Sequence, residues 1–220
     1  HISPSEPTKP TVRPARGDQA IYRKILTSSN VYVENWTMGP KDSGLEGLPK
    51  SWGITKKRLK GGLQDGVDTV EVSNGVLTAL IVPTKGMNIQ HLRMGNITIN
   101  WNSPVKGIVH PFFNNLEDNN GLGWLYSFNG WMVRCGAEWS GHPGDDNGRL
   151  MSLHGKIAHI PASHVEVLVE SDGTIRIKGI VREVWFKGAN LELQTEISLA
   201  PGSRSISITD TLINKCPNKS

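Results

Sequence analysis

From Val67 onward the chain repeats short runs in which apolar or β-branched residues alternate with polar ones: DTVEVSN, LTALIVPTKGMN, ITINWNS, VEVLVESDGTIRIKGIVREVWF and LELQTEISLAPGSRSISITDTLIN. A period of two sends successive side chains to opposite faces of a strand, so each run predicts a strand with one buried face. HVEVLVESDGTIRIKGIV predicts a hairpin, because Ser171-Asp172-Gly173 supplies turn chemistry between two such runs. A second hairpin is predicted around APGSRS, Ala200 to Ser205. Helical periodicity is confined to one short stretch, Asp18 to Leu26. Strands at spacings of roughly 8 to 12 residues, joined by Gly and Pro, predict a mainly β fold, an antiparallel β-sandwich.

Two segments depart from this pattern. HISPSEPTKPTVRPARGD, residues 1–18, is rich in Pro, Ser and Thr and poor in apolar residues, and reads as a flexible N-terminal arm, leaving 19–220 as the β-sandwich domain. Asn100 to Gly155 is long, rich in glycine and tryptophan, and weakly periodic. Loops carried on a rigid β scaffold are where binding groups concentrate, so this segment is the place to look for a site.

Composition narrows the function classes. The 220 residues carry 24 Lys+Arg against 20 Asp+Glu, a net charge of +4. The one basic cluster, TKKRLKGG at Thr55 to Gly62, reads as a solvated loop, and no aromatic-interleaved basic stripe argues for a nucleic-acid partner. No run approaches the roughly 18 apolar residues of a membrane span, and no signal-peptide pattern is present, so no membrane partner is expected. Cys135 and Cys216 lie far apart without a C-x-x-C pattern and leave the redox compartment open, with the cytoplasm as the leaning. Cys135, within WMVRCG, is expected to be a small buried residue.

The candidate chemistry falls in the irregular segment. Trp101, Trp124, Trp131 and Trp139 lie there with His110, Asn129, Arg134, Glu138, His142 and His154. Flat aromatic rings beside Asn, Arg, His and carboxylates suit a sugar, whose C–H face packs on the ring while its hydroxyls are hydrogen-bonded. The competing reading is that the tryptophans fill the sandwich core.

In GRLMSLHGKIAHIPASH, His154, His159 and His164 recur every five residues. An odd step alternates faces on a strand, and on a helix five residues turn about 140°, so neither geometry brings all three to one ion. With no H-x-H, H-E-x-x-H or cysteine pair, no metal site is expected. A single imidazole at a glycine turn asks for less, and His154 before Gly155 fits an acid/base role, with His159 and His164 structural or exposed. Nucleophile-elbow, P-loop and dinucleotide motifs are missing. A paired-carboxylate glycosidase stays open through Glu117, Asp118, Glu138, Asp145, Asp146 and Glu183, although loop and strand-face charges are the better reading of each, least clearly for Glu138. Arg134, Arg149, Lys156 and Arg182 could bind an anionic substituent or be surface charges.

The ordered stretches PTKGMNI, NWNSPVKGIVHP, GLGWLYSFNGWMVRCGAE, SLHGKIAHIPA and ISITDTLIN, spanning Pro83 to Asn214, resemble the aldose 1-epimerase (galactose mutarotase-like) superfamily and, within it, the DUF4432 family. The resemblance implies a large antiparallel supersandwich, no cofactor, and interconversion of the α and β anomers of an aldose. LHG at Leu153 to Gly155 is similar to the motif carrying a substrate-contacting histidine, which makes His154 the catalytic candidate. Arg134, in FNGWMVRCG, matches a substrate-binding arginine, and Trp131, Asn129, His110 and Glu138 complete the expected substrate-binding set. The implied partner is a monosaccharide or sugar acid, and a non-catalytic carbohydrate-binding or sensing module is the alternative. The family pattern adds a second histidine after a D-x-x-x-N segment, matched up to that point by Asp210 and Asn214, and a glutamate base near its C-terminus. The expectation is therefore the N-terminal part of such a fold, completed by a missing C-terminal part or by association as a homo-oligomer.

Overall fold

The computed structural model describes residues 20–216. The expected arm at 1–18 lies outside the described residues. Fourteen strands occur among the described residues: β1 (Ala20–Ser28), β2 (Val31–Tyr32), β3 (Trp36–Met38), β4 (Trp52–Arg58), β5 (Asp68–Asn74), β6 (Leu77–Val82), β7 (Asn88–Met94), β8 (Ile97–Ile99), β9 (Gly144–Asp146), β10 (Arg149–Met151), β11 (His164–Glu170), β12 (Ile175–Val184), β13 (Asn190–Leu199) and β14 (Ser207–Asn214). They form two six-stranded sheets, ordered β14-β13-β12-β11-β1-β2 and β3-β4-β5-β6-β7-β8, and a small β9-β10 ribbon, antiparallel throughout.

Alternation builds the core. In β12, Ile175, Ile177 and Val181 point inward, and across the ladder Leu193, Ile197 and Leu199 of β13 do the same. They meet Ile54 of β4, Val70 and Val72 of β5, and Ala79 and Ile81 of β6 in one continuous apolar cluster. Two polar ties lock the sheets together at one end. The indole of Trp52 donates to the Gly173 carbonyl at 2.9 Å, and the buried Asn74 amide donates to the carbonyls of Ala200 and Ser203 at 2.7 and 2.9 Å. Both predicted hairpin turns are thus held by the opposite sheet. Gly173 has φ +81, and a Cβ there would lie 2.5 Å from Leu48, so only glycine fits this tip.

Three expectations are corrected. The described part of the stretch read as helical, from Ala20 on, is no helix: Ala20–Ser28 is a strand pairing with β11 on one side and β2 on the other. Its β-branched and aromatic residues and two available ladders outweigh the short helical period. The basic cluster is only partly a loop, since Thr55 to Arg58 belong to β4. Lys56 takes an inward position, 1% exposed, because Asp68 neutralises it at 2.6 Å and Tyr32 lies under its ammonium. Cys135 is exposed, because WMVRCG runs as an irregular segment outside the ladders.

The core argument predicts that Ile177→Ala, which empties a fully buried position, costs about 2–5 kcal/mol in urea unfolding. Lys57→Ala on the exposed face of β4 changes the same midpoint by less than about 0.5 kcal/mol.

Candidate functional site

The irregular segment folds back across the inner face of β12, β13 and β14. Met132 bridges to Ile89, the Trp131 amide donates to the Ile89 carbonyl, and the Arg134 amide donates to the Asn88 side chain at 3.0 Å. From there the Arg134 guanidinium reaches the sheet. Nη1 is ion-paired with Asp210 of β14, and Nη2 donates to Thr195 of β13 at 2.7 Å. Thr195 and Asp210 are cross-strand partners, so the arginine straddles one rung of the ladder. Its Nε is buried without a partner. Arg134, Cys135, Ser140, Ile157, Leu193 and Asp210 line a cavity of about 260 Å³.

His154 sits beside this segment in a tightly specified turn. Its amide donates to the Gly141 carbonyl at 2.8 Å and its carbonyl accepts from the Gly136 amide at 2.9 Å. The residue has φ +57, a left-handed conformation that is uncommon outside glycine and in which Asn, Asp and His are the most frequent other residues. Gly155 follows at φ +75, where a Cβ would come within 2.1 Å of the Trp139 carbonyl and 2.4 Å of the Gly136 carbonyl. The LHG signal in the sequence therefore marks a backbone crossing that only glycine permits. The His154 ring packs edge-on to Trp124, with centroids 4.8 Å apart, and forms no hydrogen bond among the described residues.

Glu138 belongs to a neighbouring cluster. Its carboxylate pairs with Arg149 at 2.8 Å and accepts from the Trp185 indole at 3.3 Å, while the Arg149 guanidinium lies 4.8 Å over the Trp185 ring. Buried Glu183 accepts from the Ala137 and Glu138 amides at 2.8 and 3.3 Å. Glu138, Trp185, Phe186, Leu191 and Cys216 border a broader hollow of about 890 Å³ that shares Ala137 with the Arg134 cavity.

His154 and the other sequence candidates stand apart from the cavity lining. Asn129 is buried and donates to the Val105 and Gly107 carbonyls at 3.1 and 2.6 Å, which fixes a loop. His110 caps the turn Pro111–Phe113 by accepting from the Phe112 amide. Trp131 and Trp101 face outward, Trp139 donates to the His142 carbonyl, and Trp124 alone of the four is fully enclosed. Neither the single core nor the single pocket expected of the tryptophans describes them. Thr195 and Trp185 joined the site without a signal of their own, and Asp210 with only its place in the D-x-x-x-N segment, because a cross-strand pairing and a hairpin end bring them there.

His159 and Lys85 form a buried polar group behind Trp124. The Lys85 ammonium donates to the Ser127 carbonyl at 2.9 Å, and the Ser127 hydroxyl and Asn114 amide reach His159 Nε2 at 2.8 and 2.9 Å. Burial pushes Lys85 down to about 8. Burial, with the Lys85 charge second, pushes His159 down to about 3, so its imidazole is neutral. His159 sits in the turn Ile157–His159 and His164 opens β11. No group of three or more His, Cys, Asp or Glu able to hold a metal ion occurs among the described residues, and none of their helices is long and apolar enough to cross a membrane.

Two open antiparallel sheets with a polar cavity at the inner face of one define a sandwich of the aldose 1-epimerase-like type. The chain belongs to the DUF4432 family, whose model, described as a domain of unknown function, matches residues 64–220. A crystal structure from Klebsiella pneumoniae subsp. pneumoniae MGH 78578, named as a "putative aldose 1-epimerase", superimposes with a TM-score of 0.84 at 39% sequence identity. The match covers 89% of this chain and 52% of that one, so the chain spans about half the length of this relative. No functionally curated protein matches the chain.

The glycine crossing predicts that Gly155→Ala, strained by both φ and close contact, destabilises the protein by several kcal/mol, on the order of the largest single-residue effects, in thermal unfolding. The neutral His159 predicts a pH dependence. Its folded value near 3 lies below the ordinary 6.5, so below pH 6.5 the unfolded chain takes up a proton that the folded protein refuses. Stability falls as pH drops from 6.5 toward 3, with a slope from this group of up to about 1.4 kcal/mol per pH unit. Urea midpoints for His159→Gln should lack that component between pH 6.5 and 4.5.

Proposed function

We propose that the protein is an aldose 1-epimerase-like protein that takes a monosaccharide or sugar acid at the Arg134 cavity and interconverts its anomers by acid/base catalysis. The observation that carries this reading is the 39% identity to the Klebsiella structure over 89% of the chain. The local chemistry is compatible with it. On this reading His154 protonates the ring oxygen while a base removes the proton from the C1 hydroxyl. The C1–O5 bond breaks, the open-chain aldehyde turns about C1–C2, and O5 closes on the other carbonyl face as both protons return. The family resemblance assigns the base to a glutamate outside the stretches matched here. Arg134 and Glu138 hold hydroxyls, and Trp131, Asn129 and His110, which stand apart from the cavity lining, act only through the loops they belong to.

One observation favours the alternative of a binding module without catalysis. Asp210, the one carboxylate lining the cavity among the described residues, is ion-paired with Arg134, and neighbouring Glu138 and Glu183 are engaged with Arg149 and with backbone amides, which leaves none of them as a free base. A single experiment separates the two readings. Full-length protein is mixed with freshly dissolved pure anomers of a panel of aldoses and sugar acids, and exchange is followed by one-dimensional NMR. Accelerated exchange that falls at least about 100-fold in His154→Gln supports the epimerase. Saturable binding with exchange at the uncatalysed rate supports the module. Neither binding nor acceleration for any sugar rejects both.

A further inference from the structure

We propose that Trp124 is the positioning residue of His154, an inference that rests on the acid/base role given to His154 above. A proton-transfer imidazole must be held in one orientation, and histidines are usually held by a carboxylate or carbonyl on one ring nitrogen. His154 has no such partner among the described residues, and its backbone is fixed instead. The amide and carbonyl are clamped by Gly141 and Gly136, and the left-handed φ of +57 sets the direction in which Cβ leaves the chain. What remains free is rotation of the side chain, and the one ring packed against it is Trp124, at 4.8 Å and 73°.

Trp124 is itself held on several sides. It is 3% exposed, lies in the turn Gly123–Ser127, and is flanked by Phe128 at 4.6 Å and His159 at 6.5 Å. Gly123 seats this turn on the chain at Asn115, whose carbonyl would stand 1.8 Å from a Cβ at that position. The far end of the turn is held by Ser127, through its carbonyl to Lys85 and its hydroxyl to His159. The buried Lys85–Ser127–His159 group, which takes no part in the proposed proton transfers, thus backs the indole that orients His154. Holding the imidazole by a ring edge and not by a hydrogen bond leaves both nitrogens available to a ligand.

The test uses full-length wild type, Trp124→Phe, Trp124→Leu and His154→Gln, with anomer exchange and the His154 ring resonances read side by side. The His154→Gln spectrum assigns the His154 signals. Trp124→Leu should lower kcat by about 10- to 100-fold with KM within about twofold, and Trp124→Phe should restore most of it. In wild type the His154 ring protons should carry an aromatic ring-current shift that is lost in Trp124→Leu and partly kept in Trp124→Phe. If Trp124→Leu does not fold, the partial shift and intermediate kcat of Trp124→Phe carry the test. His154 signals unmoved by either substitution overturn the inference, as does wild-type kcat in both Trp124 variants when His154→Gln is inactive. Wild-type exchange in His154→Gln instead removes the acid/base role of His154, and with it the catalytic meaning of the Trp124 contact.

Discussion

Burial of alternate residues between the two sheets is the constraint on which the other features depend. Because the side-chain period of a strand is two, slipping β13 by one residue against β12 would turn Leu193, Ile197 and Leu199 to solvent. The same register that buries these leucines and isoleucine presents Thr195 and Asp210 on the inner face at one rung, where Arg134 meets them. The cavity is therefore a by-product of core register. The polar ties from Trp52 and Asn74 pin the opposite end, so the sheets are fixed to each other away from the site and the site end keeps its irregular cover.

The two faces of the long sheet have divided roles. On the outer face, Arg176 links Glu170 and Glu196, Glu192 accepts Arg182 and Lys215, and Arg23 pairs with Glu166. Their cations stay partly exposed although Glu166 and Glu192 are buried, so solvent screening keeps the contribution of each pair to stability small. On the inner face the polar groups are few and enclosed. Arg134 and Glu183 are buried there, and each is met by groups that compensate its charge or its hydrogen-bonding capacity. A group of this kind is costly to bury without such partners, which makes the enclosed cluster the informative one.

The irregular segment is ordered by backbone. Gly136 and Gly141 clamp His154 by main-chain hydrogen bonds, and the positive φ that these glycines and Gly155 adopt freely is at His154 an uncommon conformation held by its surroundings. Trp124 and the Lys85–Ser127–His159 group fill the space behind that crossing. Depressed proton affinity at Lys85 and His159 is the consequence of this filling, since both charges are disfavoured where water is excluded.

The sandwich class, the hairpin at Asp172–Gly173 and the turn near Ser203 were legible in the sequence, because local alternation and turn chemistry act over a few residues and need no knowledge of distant partners. So was the turn at His154–Gly155, since a glycine after a histidine in a tryptophan-rich stretch marks a special backbone. β1 was misread and β4 lay inside a presumed basic loop, because pairing with β11 and neutralisation of Lys56 by Asp68 come from residues far along the chain. The candidate site was half legible. Arg134, Glu138 and His154 stand out by type and context and Asp210 by its D-x-x-x-N segment, whereas Thr195 and Trp185 look like ordinary strand residues until the ladder sets them opposite the loop. Asn129 and His110 show the converse, polar side chains of the expected kind that hydrogen-bond to their own loops. Sequence by itself determined which residues alternate, turn and carry chemistry; tertiary structure decided which of them meet, because convergence depends on strand register and long-range pairing that no local pattern encodes.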